Sequence, residues 1–152
     1  MRIEGIVDIK DNSAVFIAAV EAAAELALDA AGMQAASACA TELQRSPSRI
    51  DTGLLKNSIT WAVGGKPAAI SSYSADRPSK TTGKMPPSGS YSGAAPADTN
   101  KTRSVYIGTN VEYAIYVHEG TKRMTANHFL KNGISKNRAK LTEIMKTILQ
   151  SG

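Results

Sequence analysis

A chain of 152 residues with 42% hydrophobic residues is long enough to bury one core and too short for two comfortable domains. It holds one cysteine and no run near the roughly 18 apolar residues of a membrane span, which excludes a disulfide framework and a spanning helix. The net charge of +5 is uneven: −4 over residues 1–45, +5 over 46–104 and +4 over 105–152, a division that suits stacked subunits or nucleic acid passing nearby.

Alanine crowds the first third and aromatics make up only 5%, which predicts helices packed closely through small side chains. Arg2 to Ile9 alternates like a strand, and Asn12 or Ser13 can then cap a helix running to about Gln44. Val15, Phe16, Ala19, Val20, Ala23, Leu26, Ala27, Ala30 and Ala31 recur at helical spacing as its apolar face. Glu21, Glu25 and Asp29 form an acidic stripe beside them. Roughly 30 residues at about 1.5 Å each make a rod of about 45 Å, long enough to lie along or across a partner. Gly32 marks an expected bend or close crossing. Cys39 falls in the same pattern and reads as a small buried hydrophobe.

Arg45-Ser46-Pro47 ends the helix, because the residue before proline is biased away from helical geometry. Asp51 can cap one or two helical turns leading into a strand through Ile59, Trp61 and Val63. From Gly64 to Arg103 the composition shifts to five Gly, five Pro, seven Ser and six Lys/Arg against two Asp. So polar a stretch is not core, and its length predicts either a disordered loop or, the favoured reading, an arm that orders only against a partner. Its Tyr73, Arg77, Lys80, Lys84 and Tyr91 are the residues expected to grip that partner.

Ser104 to Gly108 reads as a second strand pairing with the first in a small antiparallel sheet. Thr109-Asn110-Val111-Glu112 resembles a capping box, opening a short helix that turns Val111, Ala114, Ile115 and Val117 or His118 to the sheet and stops at Gly120. A single C-terminal helix is expected from Phe129 to Leu149, apolar through Leu130, Ile134, Leu141, Ile144, Met145 and Ile148, with Lys136, Arg138, Lys140 and Lys146 opposite. The expected fold class is α+β: one domain over residues 1–152, long N-terminal and C-terminal helices on a small antiparallel sheet, with a loop or arm inserted at about 64–104.

Catalytic constellations are sparse. Asp51-Thr52-Gly53 matches the tripeptide of aspartic proteases, whose two carboxylates share a proton across a dimer. That fold sets the tripeptide between apolar strands, whereas here an Ala-rich helix and a polar turn precede it, so a dimeric protease is the lesser alternative. His118 and His128, ten residues apart with Glu119 beside the first and no cysteine at ligand spacing, are too few ligands for a zinc set, so they read as structural histidines and no metal is expected. No phosphate-cradling, nucleophile-elbow or dinucleotide motif is present, so neither an enzyme nor a cofactor is expected. A nucleic-acid-binding module is the other alternative, resting on charge without a helix-turn-helix, zinc or RNA-binding signature.

Three segments together resemble the neck and tail-completion family of long-tailed bacteriophages. They are a long N-terminal helix leading to Asp51-Thr52-Gly53-Leu54-Leu55-Lys56-Asn57-Ser58-Ile59, the stretch from Val105 through Gly108 to Thr121, and Met124-Thr125-Ala126-Asn127-His128-Phe129-Leu130. The resemblance covers about residues 12–63 and 104–150; Asn127-His128 departs from it, standing where the family usually carries Arg-Pro. It implies a structural virion protein: a ring, commonly six-fold, that joins the tail tube to head-connector or stopper proteins while genomic DNA passes through the lumen. Assembly in the host cytoplasm, a place in the neck or tail of the virion and no membrane contact are implied with it. Asp51, Gly53, Leu55, Glu112, Tyr113, Tyr116, His118, Glu119, Gly120 and Thr121 would then face a neighbouring subunit or partner. Lys101, Arg103, Lys122 and Arg123 are candidates to face the DNA.

Overall fold

In the computed structural model, residues 3–10, 18–97 and 102–151 are described, with 3–10, 18–22, 102 and 151 described by backbone alone. The order is β1 (Ile3–Lys10), α1 (Ala18–Leu43), α2 (Leu54–Ser58), β2 (Thr60–Val63), β3 (Ser72–Tyr73), β4 (Gly89–Ser90), β5 (Thr102–Thr109), α3 (Ala114–Glu119), α4 (Phe129–Ser135) and α5 (Arg138–Ser151). The expected caps Asn12 and Ser13 and the apolar Val15 and Phe16 lie outside the described residues.

β5 takes the centre of an antiparallel sheet ordered β1-β5-β2. Its odd positions Val105, Ile107 and Thr109 are fully buried while Tyr106 and Gly108 are not, the two-residue alternation of a strand with one face on the core. β1 pairs with β5 along its whole length, from Ile3 opposite Thr109 to Lys10 opposite Thr102, and β2 covers the other edge from Thr60 opposite Gly108 to Val63 opposite Val105.

α1 lies across the sheet and against both C-terminal helices. Ala27, Ala31, Ala35, Cys39 and Leu43 recur every fourth residue and are all buried, with Leu28 and Ala36 beside them. Leu26, expected on that face, is instead 62% exposed, and Met33, one position past Gly32, is 52% exposed. Alanine on every side of α1 gives little contrast by which the buried side can be read from composition. Small residues let the layers meet closely. A Cβ on Gly32 would come within 2.7 Å of the Val105 side chain and 2.8 Å of Trp61, so the expected close crossing is with the sheet. Trp61 Nε1 donates to Asp29 (2.9 Å) and Lys66 reaches Glu25 (4.0 Å), so both described acids of the stripe are engaged within the chain.

The C-terminal helix is two helices. α4 ends at Ser135, and Asn137 closes the break by donating its side-chain amide to the Gly133 carbonyl (2.9 Å), while its own carbonyl accepts from Leu141 as α5 begins. Splitting the helix lets Phe129, Leu130 and Ile134 pack on α1 in one direction and Leu141 and Met145 in another. Leu149 is 44% exposed. Buried Glu42 pins the corner, pairing with Arg45 (3.0 Å) and with Lys136 at the break (3.3 Å). Cys39 is a buried thiol whose Sγ donates to the Leu130 carbonyl (3.7 Å), and burial pushes its pKa up to about 12. The fold is α+β, with helices on one antiparallel sheet.

Candidate functional site

The two segments singled out by resemblance fold against each other. Thr109 does not cap a helix: it is the last residue of β5, and its buried hydroxyl lies 2.6 Å from the Ser58 hydroxyl at the end of α2. It also accepts the Val111 amide (3.1 Å), a turn of the threonine type that satisfies the backbone without the expected partnership with Glu112. Glu112 is exposed, and α3 begins after Tyr113 without a side-chain cap. The helix turns Ala114, Val117 and His118 inward and leaves Ile115 half-buried. It stops at Gly120 as expected, where φ is +83°.

Asp51 is likewise not a cap. α2 starts after Gly53, whose φ of +84° favours glycine and where a Cβ would meet the Asp76 carboxylate. Thr52 accepts the Leu54 amide (3.2 Å). Asp51 turns outward and takes hold of the inserted segment: its carboxylate accepts from the Ser79 hydroxyl (2.8 Å) and the Lys80 amide (2.9 Å), and its carbonyl accepts from Arg77 Nε (2.8 Å). Asp76 in turn accepts from Lys56 (3.2 Å) and from the Asn57 amide (2.8 Å).

The inserted segment, expected to order only against a partner, is laid along its own body over residues 64–97. β3 and β4 form a two-stranded ribbon, and Ala69 donates to the Trp61 carbonyl at its base (2.8 Å). The Tyr91 hydroxyl donates to the Ser58 carbonyl (2.6 Å) and accepts from the Asn110 amide (3.2 Å); Tyr73 donates to the Asn110 side chain, which donates to the Ser90 carbonyl (2.9 Å). The two tyrosine rings pack against each other with centres 5.6 Å apart, tilted by 50°. Tyr73, Tyr91, Arg77 and the Lys80 backbone amide are thus bonded to the pair of motifs of their own chain. Lys84 stays exposed at the tip. Asn110 is the hub that sequence reasoning missed; its only signal was an asparagine directly after a strand.

Asp51, Gly53, Leu55 and Tyr113 line one cleft of about 270 Å³, together with Arg49, Lys56 and Pro86. Tyr113 (43% exposed) and Tyr116 (59%) stand beside one another on the surface of α3. Burial pushes the Tyr113 phenol upward against the opposing pull of the Leu55 amide and Thr52 hydroxyl. Thr121, Lys122 and Arg123 are exposed on a tight turn in which Thr121 exchanges backbone hydrogen bonds with Met124. Arg103 stands at the opposite end of β5 from α3, and Lys101 lies outside the described residues.

Hydrogen bonds from the Lys80 amide and the Ser79 hydroxyl hold the Asp51 carboxyl below the usual carboxylate range, and those from Asn57 and Lys56 do the same for Asp76. A lowered folded value means the contribution is present above the unfolded pKa and is lost as pH falls through the folded one. We expect the 76–80 amides to lose hydrogen-exchange protection as pH drops below the ordinary carboxylate range, while β5 stays protected. Asp51→Asn is expected to show that loss already at neutral pH; unchanged protection of Lys80 in this variant would contradict the anchoring role.

Among the described residues no helix is long and apolar enough to cross a membrane. No family model, no curated protein and no solved structure matches the chain.

Proposed function

We propose that the chain is a structural subunit of a tailed-phage virion, a member of a homo-oligomeric ring, six-fold by resemblance, at the head–tail junction. It would join the tail tube to head-connector or stopper proteins. The observation that carries the reading is the union of the two resembling motifs: Asp51–Ile59 and Gly108–Thr121 meet at the Ser58–Thr109 bond and share one cleft, with Tyr113 and Tyr116 exposed beside it. Aromatic residues exposed in such a place are suited to a protein interface. Asp51, in this reading, is an anchor and not a catalyst, since both its oxygens are already bonded to the segment that lies over it.

The test is assembly. Native mass measurement and electron microscopy of the purified chain with tail tubes should reveal a closed ring on the tube end. Tyr113→Ala combined with Tyr116→Ala should leave a folded monomer that no longer joins. A wild-type chain that stays monomeric and ignores tail tubes would sink the proposal. A second reading, nucleic-acid binding as the primary role, is favoured by the +5 and +4 carried by residues 46–104 and 105–152. It requires steep salt dependence of binding to free duplex DNA by the monomer.

A further inference from the structure

The second motif contains a buried polar group with an unmet requirement. His118 is only 8% exposed; its Nδ1 lies 2.8 Å from Glu119 Oε1, and its Nε2 is shut from solvent with no hydrogen-bond partner. A neutral imidazole carries one N–H and one lone pair. The Nδ1 lone pair, on the side of the Glu119 carboxylate, is the one that a cation shared by the two groups would use, and Nε2 then carries the proton.

The chain brings a second imidazole to the same place. The turn at 121–124 reverses direction after α3, and Asn127 donates its amide to the Val117 carbonyl (2.9 Å), setting the next residue beside α3. His128 then packs edge to face on His118, with ring centres 5.1 Å apart, and Phe129 packs on His118 from another side at 5.4 Å. Donor atoms of His118, Glu119 and His128 all lie within 4.8 Å of one another.

We propose that His118, Glu119 and His128 form a binding site for a divalent transition-metal ion of the zinc type, with a fourth position open to solvent. Two imidazoles and one carboxylate are a zinc donor set, whereas magnesium and calcium take oxygen almost throughout. Bonds of about 2.0–2.2 Å place tetrahedral ligand atoms roughly 3.3–3.6 Å apart, so a closure of at most about 1.2–1.5 Å completes the site. The parts are suited to that closure: His118 is held by packing, while Glu119 is 62% exposed and His128 half-buried, so both can move. Lys131 is the opposing charge, close enough to act on Glu119. His128 stands where the resembling family usually has proline, so the site is a feature of this chain and does not depend on the ring reading.

The experiment uses the full chain without a polyhistidine tag, stripped with chelator and titrated with Zn²⁺ and Co²⁺. One equivalent should bind, the cobalt form should show the intense visible bands of four-coordinate Co²⁺, and the melting temperature should rise with metal. His128→Gln and Glu119→Gln, both at accessible positions, should each weaken binding at least about tenfold, the loss typical even of an outer-sphere partner. Lys131→Gln should tighten it. Absence of the cobalt bands and of any thermal shift in the wild-type chain would overturn the site, as would unchanged affinity in either ligand variant.

Discussion

Gly133→Leu is expected to prevent the chain from folding stably, the largest effect of any single substitution considered. Gly133 sits where α4 crosses α1, and a Cβ there would come to 2.6 Å from Cys39 Sγ, 2.7 Å from its Cα and 2.7 Å from its amide nitrogen. Real Cβ contacts do not approach so closely, and two of the three partners are backbone. The helices must therefore move apart, lifting fully buried Phe129 and Leu130 from Leu43 and its neighbours. Overpacking a tight core costs about 1–3 kcal/mol or more, and the separation adds lost burial, so a loss above about 3 kcal/mol is expected out of the roughly 5–15 that hold a domain together. Chemical denaturation followed by far-ultraviolet circular dichroism reads it directly. Even Gly133→Ala should destabilise, and Cys39→Gly should not rescue it, because it leaves the backbone atoms in place. Wild-type stability in Gly133→Ala would show that the crossing is looser than its geometry.

The two close crossings of α1, at Gly32 and at Gly133, show what a sequence can and cannot display. Gly32 is visible because it interrupts a run of good helix formers, and its partner proves to be the sheet. Gly133 lies in a short helix beside Asn132, where a glycine reads as a weak helix position and nothing reports that Cys39 faces it. The break at 136–137 is illegible for a related reason: Lys-Asn contains neither glycine nor proline, and the apolar spacing continues across it. Only tertiary packing turns α4 and α5 apart. Thr109 and Asp51 misled in the opposite sense. Each fits a local capping pattern, but β5 claims Thr109 through its register with β1, and the inserted segment claims Asp51 through Ser79 and Lys80. Local patterns name the groups a residue can satisfy; the fold decides which of them arrive. Composition was right that 64–97 is not core, but it could not show that two tyrosines inside it find Asn110 and Ser58.

Those tyrosines carry the second large effect. Tyr73→Ala with Tyr91→Ala is expected to release the inserted segment while the body stays folded. Loss of the Tyr91 hydroxyl leaves the Ser58 carbonyl and the Asn110 amide without their partner, and loss of Tyr73 removes the partner of the Asn110 side chain. Each partly buried group left unpaired costs up to about 1–3 kcal/mol, and the tilted pair of rings contributes burial of its own. A combined local loss of about 3–4 kcal/mol corresponds to exchange in the segment roughly 100- to 1,000-fold faster, at 1.4 kcal/mol per factor of ten. Amides such as Ala69, Asp76 and Tyr91 itself, which bond to Trp61, Thr52 and Ser71, should report it. Those of α1 and β5 should not, because their hydrogen bonds belong to the helix and the sheet. Tyr91→Phe alone is the finer test, since it keeps the ring and removes only the hydroxyl. It should give part of the loss, concentrated around β4 and Asn110. Equal protection of residues 69–91 in the wild type and the double variant would mean that the segment is held by something other than the two motifs. If it is released as expected, assembly of the released variant separates two roles for the segment. A ring that forms normally on tail tubes assigns the tyrosines to folding alone, and a folded subunit that no longer joins makes the segment's position over the motifs part of the joint.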